Sequence, residues 1–499
     1  DSLAADPHTR VVAAYVEGLP DGQRFVEAAA RLTSHKPLVV LKAGRTPSGT
    51  RAVASHTGAL AGADRAFLAA CHRSGAIPVD NLEQLVDAAI ALAYRQPPRG
   101  AGMVILTNAG GPSAVGADAL DRQGLHLTNL SSETQERLRE VCPPGTMTGN
   151  PVDMLGGPLP EQYTQALEIL LEAPEVDGVM VVYVPQAITP PHDVAVAVGH
   201  VGELTGKPVV CCISGGGGIR AAARALHAHS IPHYLTPARA ALGLGALWRY
   251  RHVRLHPPTA PEPVKNVDPE QAVEVIQAAR SAGQLVLDPQ AGAEVAAAYG
   301  LSVPPSGLAA SAEEAVALAG DMGYPVALKR VAPGVVHKTD VGGVALDLEN
   351  ADAVRAAFAR VVAVGERGFV QRMAPVSVSN GLEVIVGAQR DAQFGPLVMF
   401  GLGGMYVEVL QDVAFRLAPL SAAEAREMVG ETAAGRLLAG VRGQPPGDVD
   451  SVVEALCRVG QLMADLPQVV EVDVNPLIVA PAGKGAWAVD VRIVVTDKA

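Results

Sequence analysis

The chain has 499 residues, of which 49% are hydrophobic and 18% charged, and this composition excludes a disordered chain because it supplies enough apolar surface for a large core. At about 150 residues per domain, the length predicts about three domains. The net charge is −12, and aromatic residues make up only 4%. These values argue against a basic surface for nucleic acid or a membrane, and against an aromatic platform for single-stranded bases.

The cysteines point to a reducing location. There are five, an odd number, and they include the adjacent Cys211 and Cys212 but no CxxC pair. We therefore expect neither a zinc site nor a disulfide framework, and we predict a cytoplasmic protein. No apolar run predicts a membrane span, and no signal peptide opens the sequence. Because the first residue is Asp1 and not Met, we expect a processed, cleaved or partial chain.

Strand and helix patterns alternate through residues 1–98, which we predict to form one domain. Strands are predicted at Val11–Tyr15, Pro37–Lys42 and Ala76–Val79. Helices are predicted at Phe25–Leu32, Asp64–Cys71 and Leu82–Tyr94. Strands that alternate with helices predict a parallel sheet with right-handed crossovers.

The doubly wound pattern continues in residues 99–250, which we predict to form a second domain. Its strands are predicted at Met103–Leu106, Gly178–Val184 and Val209–Ile213. Its helices are predicted at Ser113–Arg122, Gln162–Leu171 and Ile219–His227. Residues 251–269 contain several prolines and little periodicity, so we predict a linker there.

The third predicted domain, residues 270–499, begins with helices and then becomes rich in strands that look antiparallel, an α+β pattern. Its strands are predicted at Pro325–Lys329, Val344–Leu348, Phe369–Arg372, Glu383–Gly387, Leu397–Phe400, Val472–Val474, Leu477–Val479 and Trp487–Val494.

One histidine lies among small residues in a connection between a strand and a helix. This is His56, in the sequence SHTGALAG. Small residues allow a bulky anion to approach the backbone, and an imidazole is a competent nucleophile near neutral pH, so His56 is a candidate carrier of a phosphoryl group. Glu17 ends a strand of the same predicted sheet and could orient the imidazole. From spacing alone, a surface-loop histidine and a solvated loop glutamate are the favoured explanations of these two residues.

Three glycine-containing loops are weaker candidates. Gly110 and Gly111 lie between a strand and a helix and could bind the phosphate of a cofactor, although a tight turn also explains them. The loop at 44–51 has P-loop-like glycine spacing but lacks the Lys-Ser/Thr pair, so we reject a P-loop. The loop at 214–218 could hold an anion, but it does not match the dinucleotide fingerprint.

Polar residues recur on the strands of the third predicted domain. Lys329 ends an apolar strand, where an ammonium is costly unless it meets an anion. Glu383 is acidic in an otherwise apolar strand, and His337 lies in the sequence HKTD between them. Asn475 and Asp490 place oxygen ligands on two late strands, and an Asn/Asp pair is sufficient for Mg²⁺ bound to a nucleotide. Each of these residues could be a polar residue at a strand edge, but as a set, and in this order along the chain, they are not explained by chance.

The order of these motifs resembles the NDP-forming (ADP-forming) acyl-CoA synthetases, the acetate–CoA ligase family, which are relatives of succinyl-CoA synthetase. The resemblance covers essentially the whole chain. It rests on the motifs SHTGALAG, GYPVALK, HKTDVGGV, LEVIVG, FGPLVMFGLGG and EVDVNPL. It implies an α/β fold with two flavodoxin-like (succinyl-CoA-ligase-type) doubly wound domains followed by an α+β ATP-grasp domain.

The resemblance also implies a reaction: acid, coenzyme A (CoA) and ATP form acyl-CoA, ADP and phosphate reversibly, through an acyl phosphate and a phosphohistidine. By that resemblance His56 is the phosphorylated histidine and Glu17 its orienting glutamate. Lys329 binds nucleotide, Asn475 and Asp490 bind Mg²⁺, and His337 relays phosphate. The resemblance further implies a homodimer, with ATP or ADP, phosphate and a small carboxylic acid as ligands.

One departure from the family, and other possible functions, leave alternatives open. Full-length members of the family begin with a CoA-binding domain, which is not recognisable in this sequence, so we expect a separate or missing N-terminal CoA-binding segment or a truncated, inactive copy. The chain could also be the ligand-sensing regulatory region of a protein lysine acetyltransferase, or a nucleotide-binding module without turnover. The presence of His56, Lys329, Asn475 and Asp490 favours the ligase.

Overall fold

A computed structural model describes residues 1–46, 64–216, 218–257, 261–331, 343–375, 381–403, 412–441 and 445–497. His56 and His337 lie outside the described residues. The contacts divide the chain into two compact units, one covering most of the residues up to 258 and the other most of the remainder.

The first unit contains a small parallel sheet in the order β1-β2-β3. Its strands are β1 Val12–Val16, β2 Leu38–Lys42 and β3 Ile77–Val79. Helices in this part of the chain are α1 Ser2–Ala5, α2 Gly22–Thr33, α3 Asp64–Ser74 and α4 Leu82–Tyr94. Residues 64–70 of α3 are grouped with the second unit. All five residues of β2 are buried, as expected for a strand covered on both faces. The strands and helices predicted for this region are confirmed, with ends that differ by a few residues.

A second parallel sheet follows in the same unit. Its strands are β4 Gly102–Thr107, β5 His126–Leu127, β6 Val152–Asp153, β7 Gly178–Tyr183, β8 Val209–Ile213 and β9 His233–Tyr234. The order is β5-β4-β7-β8-β9, and β6 also pairs with β4. Numbered along the chain without β6, this is the order 2-1-3-4-5 of flavodoxin-like folds, so that prediction is confirmed. The two-residue strands β5, β6 and β9 have no predicted counterpart, because two residues carry no periodicity.

The helices around this second sheet show where the predicted linker is wrong. They are α5 Gly110–Arg122, α6 Ser132–Val141, α7 Pro160–Glu172, α8 Pro191–Glu203, α9 Ile219–Ala228 and α10 Pro237–Leu255. Helix α10 continues five residues past the predicted domain end at 250, so residues 251–255 are helical. The sequence Arg251–Leu255 precedes the first proline of the segment, and nothing in it stops a helix.

One hydrophobic core joins the two parallel sheets of the first unit. Val39 of β2 and Ile77 of β3 pack in the same cluster as Met103 of β4 and Leu244 of α10. The residues predicted as separate domains, 1–98 and 99–250, therefore share buried surface and form a single compact unit by their contacts. Burying these apolar side chains together stabilises both sheets at once.

A buried ion pair crosses the same boundary. Asp87 of α4 is only 2% exposed, and its carboxylate accepts two hydrogen bonds from Arg239 of α10, at 2.6 and 2.7 Å. Glu83, whose side chain is 61% exposed, accepts a third bond from Arg239 at 2.6 Å. The buried hydroxyl of Tyr234 donates to the carbonyl oxygen of Asp87 at 3.0 Å. These bonds fix helix α4 against helix α10.

The second unit is built on antiparallel sheets, as the sequence predicts. A four-stranded sheet has the order β10-β13-β11-β12, and a six-stranded sheet has the order β16-β15-β14-β17-β18 with β19 also paired to β17. The strands are β10 Ser306–Ala309, β11 Val326–Val331, β12 Val344–Leu348, β13 Arg367–Arg372, β14 Leu382–Asp391, β15 Gly395–Leu402, β16 Val413–Leu417, β17 Val469–Val479, β18 Ala486–Ala488 and β19 Val491–Val495. The helices are α11 Pro269–Ser281, α12 Pro289–Ala298, α13 Ala312–Met322, α14 Ala351–Val361, α15 Ala422–Gly430, α16 Ala433–Leu438 and α17 Val449–Asp465.

Two details of the strands in the second unit differ from prediction. The segments Val472–Val474 and Leu477–Val479 are parts of one strand, β17, whose pairing with β14 shifts register between Val384 and Val386. The predicted strand Trp487–Val494 is instead two strands, β18 and β19, which are separated by residues 489 and 490. This break places Asp490 outside regular strand structure.

Two further findings concern the described part of the chain. None of the five cysteines, all of which are described, is joined to another in a disulfide. Among the described residues, no helix combines the length and apolarity needed to cross a membrane.

The ion pair between α4 and α10 gives a stability prediction. Asp87→Ala leaves the Arg239 guanidinium without its buried partner, so we expect the free energy of unfolding to fall by about 2–4 kcal/mol. Glu83→Ala removes an exposed partner of the same arginine and should cost less than about 1 kcal/mol. Urea unfolding of both variants measures the difference, and equal effects would contradict the structural role given to Asp87.

Candidate active site

The candidate site in the second unit begins with a buried lysine. Lys329 lies on β11, in the middle of the four-stranded sheet, and is only 8% exposed. Its ammonium donates to the side-chain oxygen of Gln371 at 3.1 Å and to the carbonyl oxygen of Val489 at 2.5 Å. Because burial of an ammonium is costly, these oxygens are needed to hold it in place. The bond to Val489 also ties the four-stranded sheet to the segment that carries Asp490.

Asn475 and Asp490 are brought together beside this lysine. The backbone N–H of Asn475 donates to the carbonyl oxygen of Asp490 at 3.1 Å, and the N–H of Val489 donates to the carbonyl oxygen of Pro476 at 3.3 Å. These bonds join β17 to the break between β18 and β19. They place two oxygen-bearing side chains next to the carbonyl group that Lys329 binds.

A small cavity opens at the same place. It is lined by Phe369 and Gln371 of β13, by residues 488–491, and by Pro289, Ala293 and Val303. Its wall is thus apolar on one side, while Gln371 and Asp490 supply polar groups on the other. Its volume is about 10 Å³, which is room for about one water molecule, so it marks a gap beside Lys329 and Asp490 and not a complete ligand pocket.

Strand β17 presents a row of polar side chains towards this region. Glu471, Asp473 and Asn475 alternate with the buried Val472 and Val474, so the three polar residues share one face of the strand. Glu471 forms an ion pair with Arg492, with 2.7 Å between a carboxylate oxygen and a guanidinium nitrogen. The alternation can be read from the sequence, but we did not predict Asp473 as a site residue.

Asp473 has an unusual environment. One of its carboxylate oxygens is buried and accepts no hydrogen bond. Burial, together with the nearby Glu471 and Asp490, raises the pKa of Asp473 to about 6, although Arg492 acts in the opposite direction. A buried carboxylate oxygen without a donor beside Asn475 and Asp490 is the kind of ligand that suits a hard divalent cation.

Glu383 lies near this row but is not joined to it by the hydrogen bonds described above. It is half-buried on β14, opposite Ile478 of β17, and its carbonyl oxygen accepts a bond from the N–H of Gly403 at 3.0 Å.

Gln371 is the polar residue of the site with the weakest sequence signal. It is a single amide in a predicted strand that carries no recognisable motif.

In the first unit, Glu17 directly follows β1. The pairing of Val16 with Lys42 places the ends of β1 and β2 side by side, and the N–H of Ala43 donates to the carbonyl oxygen of Val16 at 2.8 Å. Lys42 is 3% exposed at the end of β2, a buried charge that the sequence analysis did not single out. These residues lie at the carboxyl edge of the sheet, where functional groups gather in parallel α/β folds.

Gly110 and Gly111 form the first turn of the 13-residue helix α5. Asn108, just before them, bonds to both backbone groups of Val184 at 2.9 and 3.0 Å and so ties this loop to the end of β7. A Cβ atom at Gly110 would meet only the Asp153 carboxylate, at 3.3 Å, and one at Gly111 would meet nothing within 4 Å. The backbone of this turn is therefore open to a ligand.

Three glycines of the loop at 214–218 are explained without a ligand. Gly215, Gly216 and Gly218 have φ of 78°, 80° and 86°, a left-handed conformation that favours glycine, and Gly218 is the N-cap residue just before α9. In the rejected P-loop segment, Arg45 forms an ion pair with Asp80 at 2.6 Å, and the residues from 47 onwards lie outside the described part of the chain.

Family comparisons divide the chain into three matched regions. Residues 1–92 match the succinyl-CoA-ligase-like flavodoxin domain, residues 103–256 the ligase-CoA domain, and residues 278–495 the ATP-grasp domain. The first two regions correspond to the two parallel sheets, in order, and the third corresponds to both antiparallel sheets.

Several proteins of similar sequence carry ligase names. The chain is 40% identical to an ADP-forming acetate–CoA ligase of Archaeoglobus fulgidus over 99% of this chain and 71% of that protein. It is 34% identical to an ADP-forming 4-hydroxybutyrate–CoA ligase of Nitrosopumilus maritimus over 98% of this chain and 71% of that protein. A beta subunit of an acetate–CoA ligase of Pyrococcus furiosus is 39% identical over 45% of this chain and 97% of its own length.

A solved structure also matches part of the chain. It is the dinucleotide-forming acetyl-coenzyme A synthetase 1 of Candidatus Korarchaeum cryptofilum, in complex with phosphate and ADP. The identity is 32% and the TM-score 0.48, and the match covers 50% of this chain and 55% of that chain.

The raised pKa of Asp473 predicts a specific pH dependence. An acid whose pKa rises on folding holds its proton more tightly in the folded state, so the unfolding free energy falls as the pH rises from about 4 to about 6. At about 1.4 kcal/mol per pH unit, this loss amounts to at most about 3 kcal/mol. Asp473→Asn should remove this loss. The unfolding free energy of the variant should therefore increase relative to that of wild type as the pH rises.

Urea unfolding at a series of pH values measures this gain. Asp352→Asn is the control, because the Asp352 side chain is 95% exposed in the same unit. Parallel stability profiles for wild type and Asp473→Asn would show that the buried carboxylate is not as described.

Proposed function

This chain belongs to the family of ADP-forming acyl-CoA ligases, and we propose that it catalyses the reversible conversion of a carboxylic acid, CoA and ATP to acyl-CoA, ADP and phosphate. In the direction of ATP synthesis, phosphate displaces CoA from the acyl group to give an acyl phosphate. The phosphoryl group then passes to a histidine nitrogen, releasing the acid, and from there to ADP. A phosphohistidine conserves the transfer potential of the acyl phosphate, so positioning and charge neutralisation are the main tasks of the protein.

The observation that carries this proposal is the convergence at Lys329. One buried ammonium, the amide of Gln371 and the Val489–Asp490 segment meet beside a cavity in the region that matches the ATP-grasp domain. We propose that Lys329 binds nucleotide phosphate there, since an ammonium is a compact donor for phosphate oxygens. Glu383, on β14, which pairs with the strand β17 that carries Asn475, is proposed to contact the same nucleotide.

The oxygen ligands of this site fit Mg²⁺. Asn475 and Asp490 are proposed to hold the ion. The carboxylate oxygen of Asp473 that is buried and accepts no hydrogen bond adds negative charge beside them. Mg²⁺ supplies charge neutralisation on the transferred phosphoryl group when bound. The residues themselves orient the nucleotide and, through the Asn475–Asp490 backbone bond, keep β17 and the β18–β19 break at a fixed spacing.

His56 is proposed to carry the phosphoryl group, with Glu17 orienting its imidazole. Glu17 follows β1 at the carboxyl edge of the first sheet, and His56 lies in the sequence between β2 and α3, outside the described residues. His337 is proposed as a second phosphate relay near the nucleotide. The open turn at Gly110 and Gly111 is proposed to hold phosphate, because the free N–H groups at a helix N-terminus favour an anion.

The oligomeric state and the ligands are proposed by analogy with the relatives. We propose a homodimer that takes a small carboxylic acid, phosphate, CoA and nucleotide. In Pyrococcus furiosus the corresponding regions belong to separate alpha and beta subunits. We propose domains at 1–98, 99–255 and 270–499 with a linker from 256, so that the end of α10 corrects the earlier boundary.

The relatives named above are ligases, so the interpretation as a regulatory region of a lysine acetyltransferase is not supported. A nucleotide-binding module without turnover would share the Lys329 site. Phosphoryl transfer to the chain, rather than nucleotide binding, separates such a module from the proposed enzyme.

The nucleotide site is tested by titrating ADP with and without Mg²⁺ in a calorimeter. Lys329→Met should weaken ADP binding about tenfold or more in both conditions, because it removes a charged hydrogen-bond donor. Asp490→Ala should remove only the additional affinity that Mg²⁺ gives, since the backbone bond to Asn475 does not use the Asp490 side chain.

Lys484→Met is the matched control for this titration, because Lys484 is an exposed lysine in a turn of the same unit. Unchanged ADP affinity in Lys329→Met, in a variant with the wild-type unfolding midpoint, would contradict the proposed nucleotide site.

A further inference from the structure

A second cavity lies in the first unit, and none of the residues that line it has a role in the function proposed above. It encloses about 100 Å³ between the end of β3, helix α4 and helix α10. Its apolar wall includes Ile77, Leu242 and Ala246, and its polar lining is Asp80, Gln84, Gln123 and Arg249. At about 30 Å³ per water molecule, the space suits a small organic molecule of very few carbon atoms.

The polar groups of this cavity are mainly donors. The side-chain oxygen of Gln84 accepts a bond from the N–H of Asp80 at 2.8 Å, and that of Gln123 accepts one from Arg249 at 2.9 Å. Each bond fixes the orientation of its amide, so both glutamines keep their NH₂ groups for other acceptors. Arg249 uses one N–H for Gln123 and has further donors in its planar fork.

The carboxylate in the lining is already neutralised. Asp80 forms an ion pair with Arg45 at 2.6 Å, and its side chain is 70% exposed. It therefore lies at the rim with its charge compensated. The Asp80 carboxylate also attracts the guanidinium of Arg249, which is an exposed residue. Two guanidinium groups, those of Arg45 and Arg249, thus share one carboxylate. With the two amide NH₂ groups and the apolar wall, this leaves a site that complements a ligand with an anionic end and a hydrocarbon end.

The close packing around Gln123 supports a built site. The side-chain oxygen of Gln123 lies only 2.6 Å from the position that a Cβ atom on Gly245 would occupy. Any side chain at that position of α10 would displace the amide. Glycine at 245 thus allows Gln123 to reach Arg249, one helical turn further along the same helix.

We propose that this cavity binds a small carboxylate anion of roughly two to four carbons, with its carboxylate on Arg249, Gln84 and Gln123 and its alkyl group on Ile77, Leu242 and Ala246. The inference does not rest on the proposed function, because the cavity and its donors are described within the first unit alone. The anion can be the reacting acid or a separate effector, and both have the same chemistry.

The test uses isobutyrate as the probe and the full 499-residue chain. Ligand-observed NMR titration should give saturable binding to wild type and none of the uncharged isostere isobutyramide. Arg249→Met keeps the alkyl stem and removes the fork, so we expect the dissociation constant to rise about tenfold or more. Arg254→Met is the control, because Arg254 is exposed on the same helix and does not line the cavity.

Gln84→Glu provides a second variant that keeps the side-chain shape. It replaces a donor with a like charge and should also abolish isobutyrate binding. The proposal is overturned if isobutyrate does not saturate wild type, or if both variants bind it as tightly as wild type does.

Steady-state assays of the same variants identify the source of the anion. If the KM for isobutyrate rises with its dissociation constant in Arg249→Met, the site holds the reacting acid. If turnover is unchanged while binding is lost, the site holds an effector. Binding that depends on Arg249 in a chain that shows no turnover supports this inference and contradicts the proposed function, so the two failures are distinguishable.

Discussion

The bond from the ammonium of Lys329 to the carbonyl oxygen of Val489 is the interaction on which the second unit depends. A lysine ammonium in the interior of a sheet is costly to desolvate. Hydrogen bonds to two oxygens offset part of this free energy. One is the amide of Gln371 on the adjacent β13, and the other is a carbonyl that is available only because β18 stops before β19 begins. A continuous strand there would have used that carbonyl in its ladder.

The same break explains how three polar residues come together. Asn475 belongs to a strand whose opposite face is buried in the core, and the alternation of β17 leaves Glu471, Asp473 and Asn475 on the other face. The backbone bond from Asn475 to Asp490 then fixes the loop against this row. Apolar packing thus sets the position of β17, and the polar row follows from the two-residue period of a strand.

The first unit places its candidate groups by a different rule. In a parallel sheet all carboxyl ends lie at one edge, so Glu17 after β1, Lys42 at the end of β2 and Asp80 after β3 lie on the same side. The second parallel sheet does the same for Asn108 and Asp153, which follow or end β4 and β6. A shared core, together with the buried pair of Asp87 and Arg239, holds these two sheets in one unit.

Sequence patterns predicted most of this architecture and part of the site. Helix α4 and strand β8 have the predicted ends, because each combines a strong apolar pattern with clear boundaries. The linker was placed too early because a proline-rich composition does not show where the preceding helix ends. Gln371 was not predicted, because a single amide in a strand gives no periodic signal. Its role depends on the hydrogen bond with Lys329, which is 42 residues away in the sequence. Asp473 was visible in the alternating pattern, but its burial is a tertiary property.

The central claim is that a phosphoryl group moves between His56 and a nucleotide held at Lys329. The most direct measurement is to incubate the protein with Mg²⁺ and ATP labelled in the γ-phosphate, remove free nucleotide, and then add ADP. We expect acid-labile, base-stable label on wild type, its return to ATP on adding ADP, and no label on His56→Ala. Label that persists on His56→Ala, or that ADP does not discharge, would contradict the account.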